Sequence, residues 1–192
     1  MASSRYAPFQ SELLERGRRT FLRLPMAGDR REYLELLRTS EEFHRPWKPL
    51  PEAGTDPYAD EVFQNLLERS STETSSCTLL CRRSDGAILA AFNLNQIVRG
   101  AFHCAFLGYW IGSPYEGRGY MTEGLQLVLK HAFNRLELHR LEANIIPSNA
   151  PSKALVKRAG FRLEGFSPRY LKIAGTWQDH ERWAITVEDW TK

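Results

Sequence analysis

The chain has 192 residues, 42% of them hydrophobic and 26% charged, with a formal net charge of +3. That length suits one domain with a sizeable core, and acids interleaved with bases argue against a nucleic-acid-binding surface. Three cysteines, Cys77, Cys81 and Cys104, exclude a disulfide framework and show no zinc-knuckle spacing, so no metal is expected; no stretch approaches the ~18 apolar residues of a membrane span.

Residues 1–16 lack the apolar core of a secretion signal; they are expected to be disordered or an extra N-terminal segment of one domain covering 1–192. "RRTFLRLP" (18–25) alternates and ends at Pro25, as an edge-like strand does. In "GDRREYLELLRTS" (28–40), Tyr33, Leu34 and Leu37 fall at helical spacing behind Asp29 as cap. "HRPWKPLPEAGTDP" (44–57) reads as loop because of its prolines. "YADEVFQNLLERSST" (58–72) reads as an amphipathic helix. "SCTLLCRR" and "AILAAFNLNQIV" flank Ser84-Asp85-Gly86, a hairpin signal, with Cys77 and Cys81 on one strand face as small core residues.

"GAFHCAFLGYWIGS" (100–113) is apolar on both faces, which predicts a central strand covered on each side. "MTEGLQLVLKHAFNRLEL" (121–138) has apolar residues at 3.6 spacing and predicts the main helix. "HRLEANIIP" (139–147) reads as a strand. "NAPSKALVKRAGF" (149–161) is a short helix with Asn149 as N-cap, Pro151 in its first turn and Gly160 just past its end. "RYLKIAG" and "TWQDHERWAITVEDW" close as a hairpin through Ala174-Gly175. The order is β-α-α-β-β-β-α-β-α-β-β, a mixed sheet with helices of the α/β or α+β class.

Gly117 and Gly119 sit where the central strand hands over to the main helix. Free amides at a helix start hold a phosphate, and residues without a Cβ let it approach. The same pair also suits an ordinary strand-to-helix turn. No GK[ST] follows, so this is not a Walker loop, and the third glycine of the dinucleotide fingerprint is missing.

The stretches "LGYWIGSPYEGRGYMTEGLQLVL" and "HRLEANIIPSNAPSKALVKRAGFRLEG" resemble the GNAT acyltransferase superfamily. The family's pyrophosphate motif is Q/R-x-x-G-x-G/A. Here Glu116 stands in place of Gln or Arg and Met121 in place of Gly or Ala, while Gly119 matches. Its second element, an Asn, then Ser or Tyr three residues on, then a helix ending in Gly-Phe, appears as Asn149, Ser152 and Gly160-Phe161. "HRPWKP", "VRGAFHCAFLGYWIG", "GTWQDH" and "VEDW" are most similar to the RimJ/RimL branch, and within it to the RimJ-type ribosomal-protein alanine N-acetyltransferases, over about residues 17–190.

The resemblance implies a GNAT fold: a mostly antiparallel sheet of about seven strands, helices on both faces and two central strands splayed around acetyl-CoA. It implies an acyltransferase that moves an acetyl group to an N-terminal α-amine, on a ribosomal protein starting with Ala, by direct attack. Backbone around Tyr109, Trp110 and Ile111 would hold the pantetheine arm and polarise the thioester. Amides of Gly117, Arg118, Gly119, Tyr120, Met121 and Thr122 would hold the diphosphate, with Asn149 on the arm and Ser152 donating to the leaving sulfur. The acceptor groove would use Trp47, Tyr170, Asp179 and His180. No candidate base (His103, Glu142, His139, Glu116) stands out, and Tyr109 and His103 complete the catalytic candidates. An α-amine of pKa ~7.7–8.0 is roughly a third neutral at pH 7.5, a lysine at ~10.4 about one part in 800. A weak base therefore favours α-amines. A cytoplasmic monomer or homodimer, binding neither membrane nor nucleic acid, is expected. A GNAT acting on small amines and a non-catalytic acetyl-CoA-binding assembly factor are the alternatives.

Overall fold

The computed structural model describes residues 13–51 and 54–190. Among these, eight strands form one sheet in the order β1-β2-β3-β4-β5-β6-β8-β7. In chain order they are β1 (Leu13–Arg16), β2 (Thr20–Arg23), β3 (Ser76–Arg82), β4 (Ile88–Val98), β5 (Cys104–Ile111), β6 (Arg140–Ile145), β7 (Arg162–Ile173) and β8 (Thr176–Thr186). Neighbours run antiparallel except β5 and β6, which are parallel. The helices are α1 (Arg30–Thr39), α2 (Glu41–His44), α3 (Asp60–Glu68), α4 (Tyr120–Lys130) and α5 (Ala150–Arg158).

Period-2 alternation divides the core between the sheet's faces. On one face Tyr33 and Leu36 of α1 and Phe63 and Leu66 of α3 pack on Leu79, Cys81 and Ala91. On the other, Leu125, Val128 and Leu129 of α4 and Leu155 and Val156 of α5 pack on Phe92, Leu107, Leu141 and Ala143. Helix α4 approaches closely because Gly124 has no side chain: a Cβ there would stand 2.6 Å from Leu80 and 2.9 Å from Phe92. Its first turn is tied to β2, where the Glu123 carboxylate accepts from the amides of Arg19 (2.8 Å) and Thr20 (3.0 Å). Burial pushes the Glu123 carboxyl up, but these bonds outweigh it and hold the group below its ordinary range.

Several expectations shift. The sheet has eight strands rather than seven, because residues 13–16, assigned to the N-terminal segment, pair with β2; residues 1–12 lie outside the described residues. Strand β7 starts at Arg162, ahead of the expected Arg169; it is a largely exposed edge strand with register shifts around Pro168, so it lacks an alternating apolar signal. Asp29 does not cap α1 with its side chain. Instead its carboxylate forms a buried bidentate pair with Arg23 at 2.6 and 2.7 Å. The loop over 44–57 begins with a single 3-10 turn, Arg45–Trp47, directly after α2. Among the described residues no helix is long and apolar enough to cross a membrane.

Candidate active site

Strands β5 and β6 pair only at Cys104–Arg140, Ala105–Leu141 and Phe106–Glu142. Past Phe106 no register partner joins them, while β5 continues beside β4 to Ile111 and β6 beside β8 to Ile145. The divergence opens a cleft of about 690 Å³, lined by Gly108, Tyr109 and Trp110 from β5 and by Ala143, Asn144 and Ile145 from β6. β5 and β6 are the one parallel pair among the described strands, joined by a long crossover rather than a tight turn.

One end of the cleft is the turn into α4. Gly117 (φ 70°) and Gly119 (φ 77°) take left-handed backbone, which Gly adopts without penalty. The first amide of α4 with an intrahelical acceptor is that of Glu123, which bonds the Gly119 carbonyl at 3.4 Å. The amides before it are the free donors of a helix start. A Cβ at Gly117 would meet nothing within 4 Å, so the turn is open. Arg19 lies beside it, donating to the Arg118 carbonyl at 3.1 Å with its guanidinium 4.8 Å from the Tyr120 ring centre. Gly117, Gly119, Tyr120, Met121 and Thr122 line the cleft; Arg118 does not. An open, left-handed, amide-rich turn with an arginine alongside fits a diphosphate.

At mid-cleft, Tyr109 from β5 and Ser152 from the first turn of α5 share a 2.6 Å hydrogen bond between hydroxyls. Asn149 caps α5, its Oδ1 accepting from the Ser152 amide at 3.1 Å, which orients Ser152 toward the gap. Burial pushes the Tyr109 phenol up to about 12, against the bond from Ser152. Both hydroxyls therefore stay protonated at neutral pH.

The cleft also opens toward α1 and α2. There His44 is buried and donates from Nε2 to the Ile111 carbonyl at 2.8 Å, its ring edge-on to Trp110. Burial, with help from Lys48 and against the carbonyl bond, lowers its pKa, so it stays neutral. Trp47 and His180 line this side.

Two expected acceptor residues do not reach the cleft wall. Tyr170 packs on His180 with ring centres 5.6 Å apart, and Asp179 accepts from the Arg169 amide at 2.7 Å, a role within the β7–β8 hairpin. His103, a further catalytic candidate, lies outside the cleft wall. It precedes β5 at the paired end, where the strands have not separated, and its Nδ1 bonds the Glu137 carbonyl at 3.2 Å. Glu142 is engaged by Arg140 and His139 by Glu188; of the four candidate bases only Glu116 lines the cleft, at its phosphate-like end. Sequence reasoning missed Asn93 and Asn144, both on the cleft wall with a buried, unpartnered Oδ1. The readable signal was a polar residue inside the apolar run "AAFNL".

A family model described as an acetyltransferase (GNAT) domain matches residues 19–162. The [ribosomal protein uS5]-alanine N-acetyltransferase of Escherichia coli is 32% identical over 154 residues, 79% of each chain. A probable N-acetyltransferase of Bacillus subtilis, YjcK, is 42% identical over 106 residues, 55% of this chain and 59% of that protein. The solved structure of Mycobacterium smegmatis RimJ with a CoA-disulfide superposes with a TM-score of 0.82 at 29% identity, covering 90% of this chain and 84% of the other. Matched over most of its length and carrying a splayed strand pair beside an open amide turn, the chain belongs to the GNAT acetyltransferase family, whose members are acyltransferases that use acetyl-CoA.

Proposed function

We propose that this enzyme acetylates the N-terminal α-amine of a protein, with a ribosomal protein beginning with alanine as the acceptor. The observation that carries this reading is the cleft itself. It opens toward α4 and α5 for the acyl donor and toward α1 and α2 for a second substrate, so both meet where β5 and β6 part. The E. coli relative is named for alanine N-acetylation of uS5, which supports the acceptor class. Such an acceptor places the reaction in the cytoplasm.

Acetyl-CoA, when bound, supplies an acetyl group activated as a thioester. The amides of Gly117 to Thr122 would hold its diphosphate, and the backbone of Trp110 and Ile111 with Asn149 its pantetheine arm. A main-chain N–H aimed at the thioester oxygen stabilises charge as it develops there. The Tyr109–Ser152 pair offers one outward O–H to the sulfur as it becomes a thiolate. Trp47 and His180 flank the entry of the acceptor. The test is mass spectrometry after incubation with acetyl-CoA and three acceptors: an alanine-initiated peptide, an N-terminally blocked peptide containing lysine, and a small diamine. Transfer to the first supports the reading. Transfer only to the second or third, or none, refutes it.

A further inference from the structure

The amides assigned to a diphosphate belong to a stretch of backbone that is easily turned. Gly117 and Gly119 flank Arg118, both at left-handed φ, and a peptide plane beside glycine rotates at little steric cost. Rotation would swing a donor N–H out of the cleft and put a carbonyl oxygen in its place. Resting on the diphosphate reading above, we propose that Arg19 is a positioning residue for acetyl-CoA: its guanidinium holds the carbonyl edge of the Arg118–Gly119 peptide and so keeps the Gly119 N–H turned toward the phosphates.

Two contacts fix the orientation. Arg19 Nη1 donates to the Arg118 carbonyl at 3.1 Å. Its Nη2 stands 3.2 Å from where a Cβ on Gly119 would lie. In a trans peptide the carbonyl oxygen and the following Cα share one edge, and the N–H leaves from the other. The guanidinium therefore sits along the edge away from the N–H. Gly119 lines the cleft, whereas neither Arg19 nor Arg118 does. Arg19 thus braces the turn from outside, and the amide is left to the cleft.

The turn that carries Arg19 is itself fixed. Between β1 and β2 the Gly17 amide donates to the Thr20 carbonyl at 2.9 Å. The Arg83 amide donates to the Arg19 carbonyl at 2.9 Å, and Arg83 Nη1 donates to the carbonyls of Gly17 and Arg18 at 3.1 and 3.0 Å. The Glu123 carboxylate closes the turn from α4. It accepts from the Arg19 and Thr20 amides, from the Thr20 hydroxyl at 3.0 Å and from Arg19 Nε at 3.4 Å. Gly17 makes room for that carboxylate, since a Cβ there would stand 2.4 Å from Oε1. The Tyr120 ring lies against the guanidinium, 4.8 Å from its centre. The β1–β2 turn and the first turn of α4 thus form one bracket around the Arg118–Gly119 peptide. A donor held in place before binding saves the ligand the cost of ordering it.

The test compares CoA with pantetheine, which lacks the diphosphate, by calorimetry on wild type and on Arg19→Met. The Arg19 side chain is 42% exposed, so its replacement leaves the core intact, and methionine keeps an apolar stem over Tyr120 without a donor. CoA should bind about tenfold more weakly to the variant, by the same ratio at low and high salt, while pantetheine affinity stays unchanged. In proton–nitrogen NMR spectra the Gly119 amide should shift strongly with CoA in wild type and weakly in Arg19→Met. Unchanged CoA affinity, or equal losses for CoA and pantetheine, overturns the positioning role. A CoA loss that disappears at high salt also overturns it, because Arg19 would then act as a screened charge. Wild-type protein that binds CoA no more tightly than pantetheine refutes the diphosphate reading itself, whatever Arg19→Met does.

Discussion

Removing either hydroxyl of the Tyr109–Ser152 pair tests how the leaving sulfur is handled. The two oxygens are 2.6 Å apart, so one O–H is taken up between them and the other is free to point outward. Burial holds the Tyr109 phenol at about 12, whereas a free thiol lies near ~8.5. Handing a full proton from the phenol to a thiolate is thus uphill by about 5 kcal/mol, at ~1.36 kcal/mol per pKa unit. The pair therefore acts by hydrogen bonding to the forming thiolate, and not as a general acid of matched pKa. A hydrogen bond to a charged group contributes about 1.5–3 kcal/mol, which is roughly 10- to 150-fold in rate. Ser152→Ala and Tyr109→Phe should each lower kcat by that factor with little change in acetyl-CoA affinity. The double variant should lose no more than about the larger single effect, because the pair presents one outward donor. Stopped-flow acetyl transfer at saturating substrate, with calorimetric binding of acetyl-CoA as control, checks this. Unchanged kcat, a loss above about 10⁴-fold, or fully additive losses would refute the reasoning.

Other consequences are equally open to measurement. Gly119→Val forces a side chain into left-handed backbone with its Cβ 3.2 Å from Arg19, and calorimetry should show acetyl-CoA binding weakened at least tenfold, about 1.4 kcal/mol; full affinity in a folded variant removes the proposed phosphate site. Gly124→Ala places a methyl group against Leu80 and Phe92, so thermal unfolding should show a loss of about 1–3 kcal/mol. Asp29→Ala strands the buried Arg23 guanidinium and should cost about 3–5 kcal/mol in urea unfolding. His131 is held down at about 4 by burial and by Arg135, so the unfolded chain takes up a proton below ~6.5 that the native state refuses. Its contribution is complete above pH 6.5 and declines by about 1.4 kcal/mol per pH unit from 6.5 to 4. Urea melts at pH 7 and pH 5 should differ by about 2 kcal/mol from this site, a difference that His131→Met abolishes.

Local chemistry made much of this molecule legible in one dimension. Asn149, Pro151 and Gly160 delimit α5 because caps and breakers act within a turn of where they stand. The hairpins at Asp85-Gly86 and Ala174-Gly175 each carry a glycine at positive φ, 79° and 84°, which Gly adopts without penalty. Gly117 and Gly119 lead into α4 as their spacing implied. The first part of β7, residues 162–168, escaped notice because an exposed edge carries no alternating apolar code.

Which side chains meet was decided only in three dimensions. Tyr109 and Ser152 are 43 residues apart, and nothing in either segment encodes their contact; it exists because β5 and α5 pack across the gap. Asn93, Asn144 and His180 come from β4, β6 and β8 and share a cleft wall through sheet order and register. His103 had a suitable residue type, yet it stands just ahead of β5, at the end where β5 and β6 remain paired. Periodicity reports a residue's face from its near neighbours, whereas the place along a strand where two neighbours part depends on how the whole sheet twists and packs.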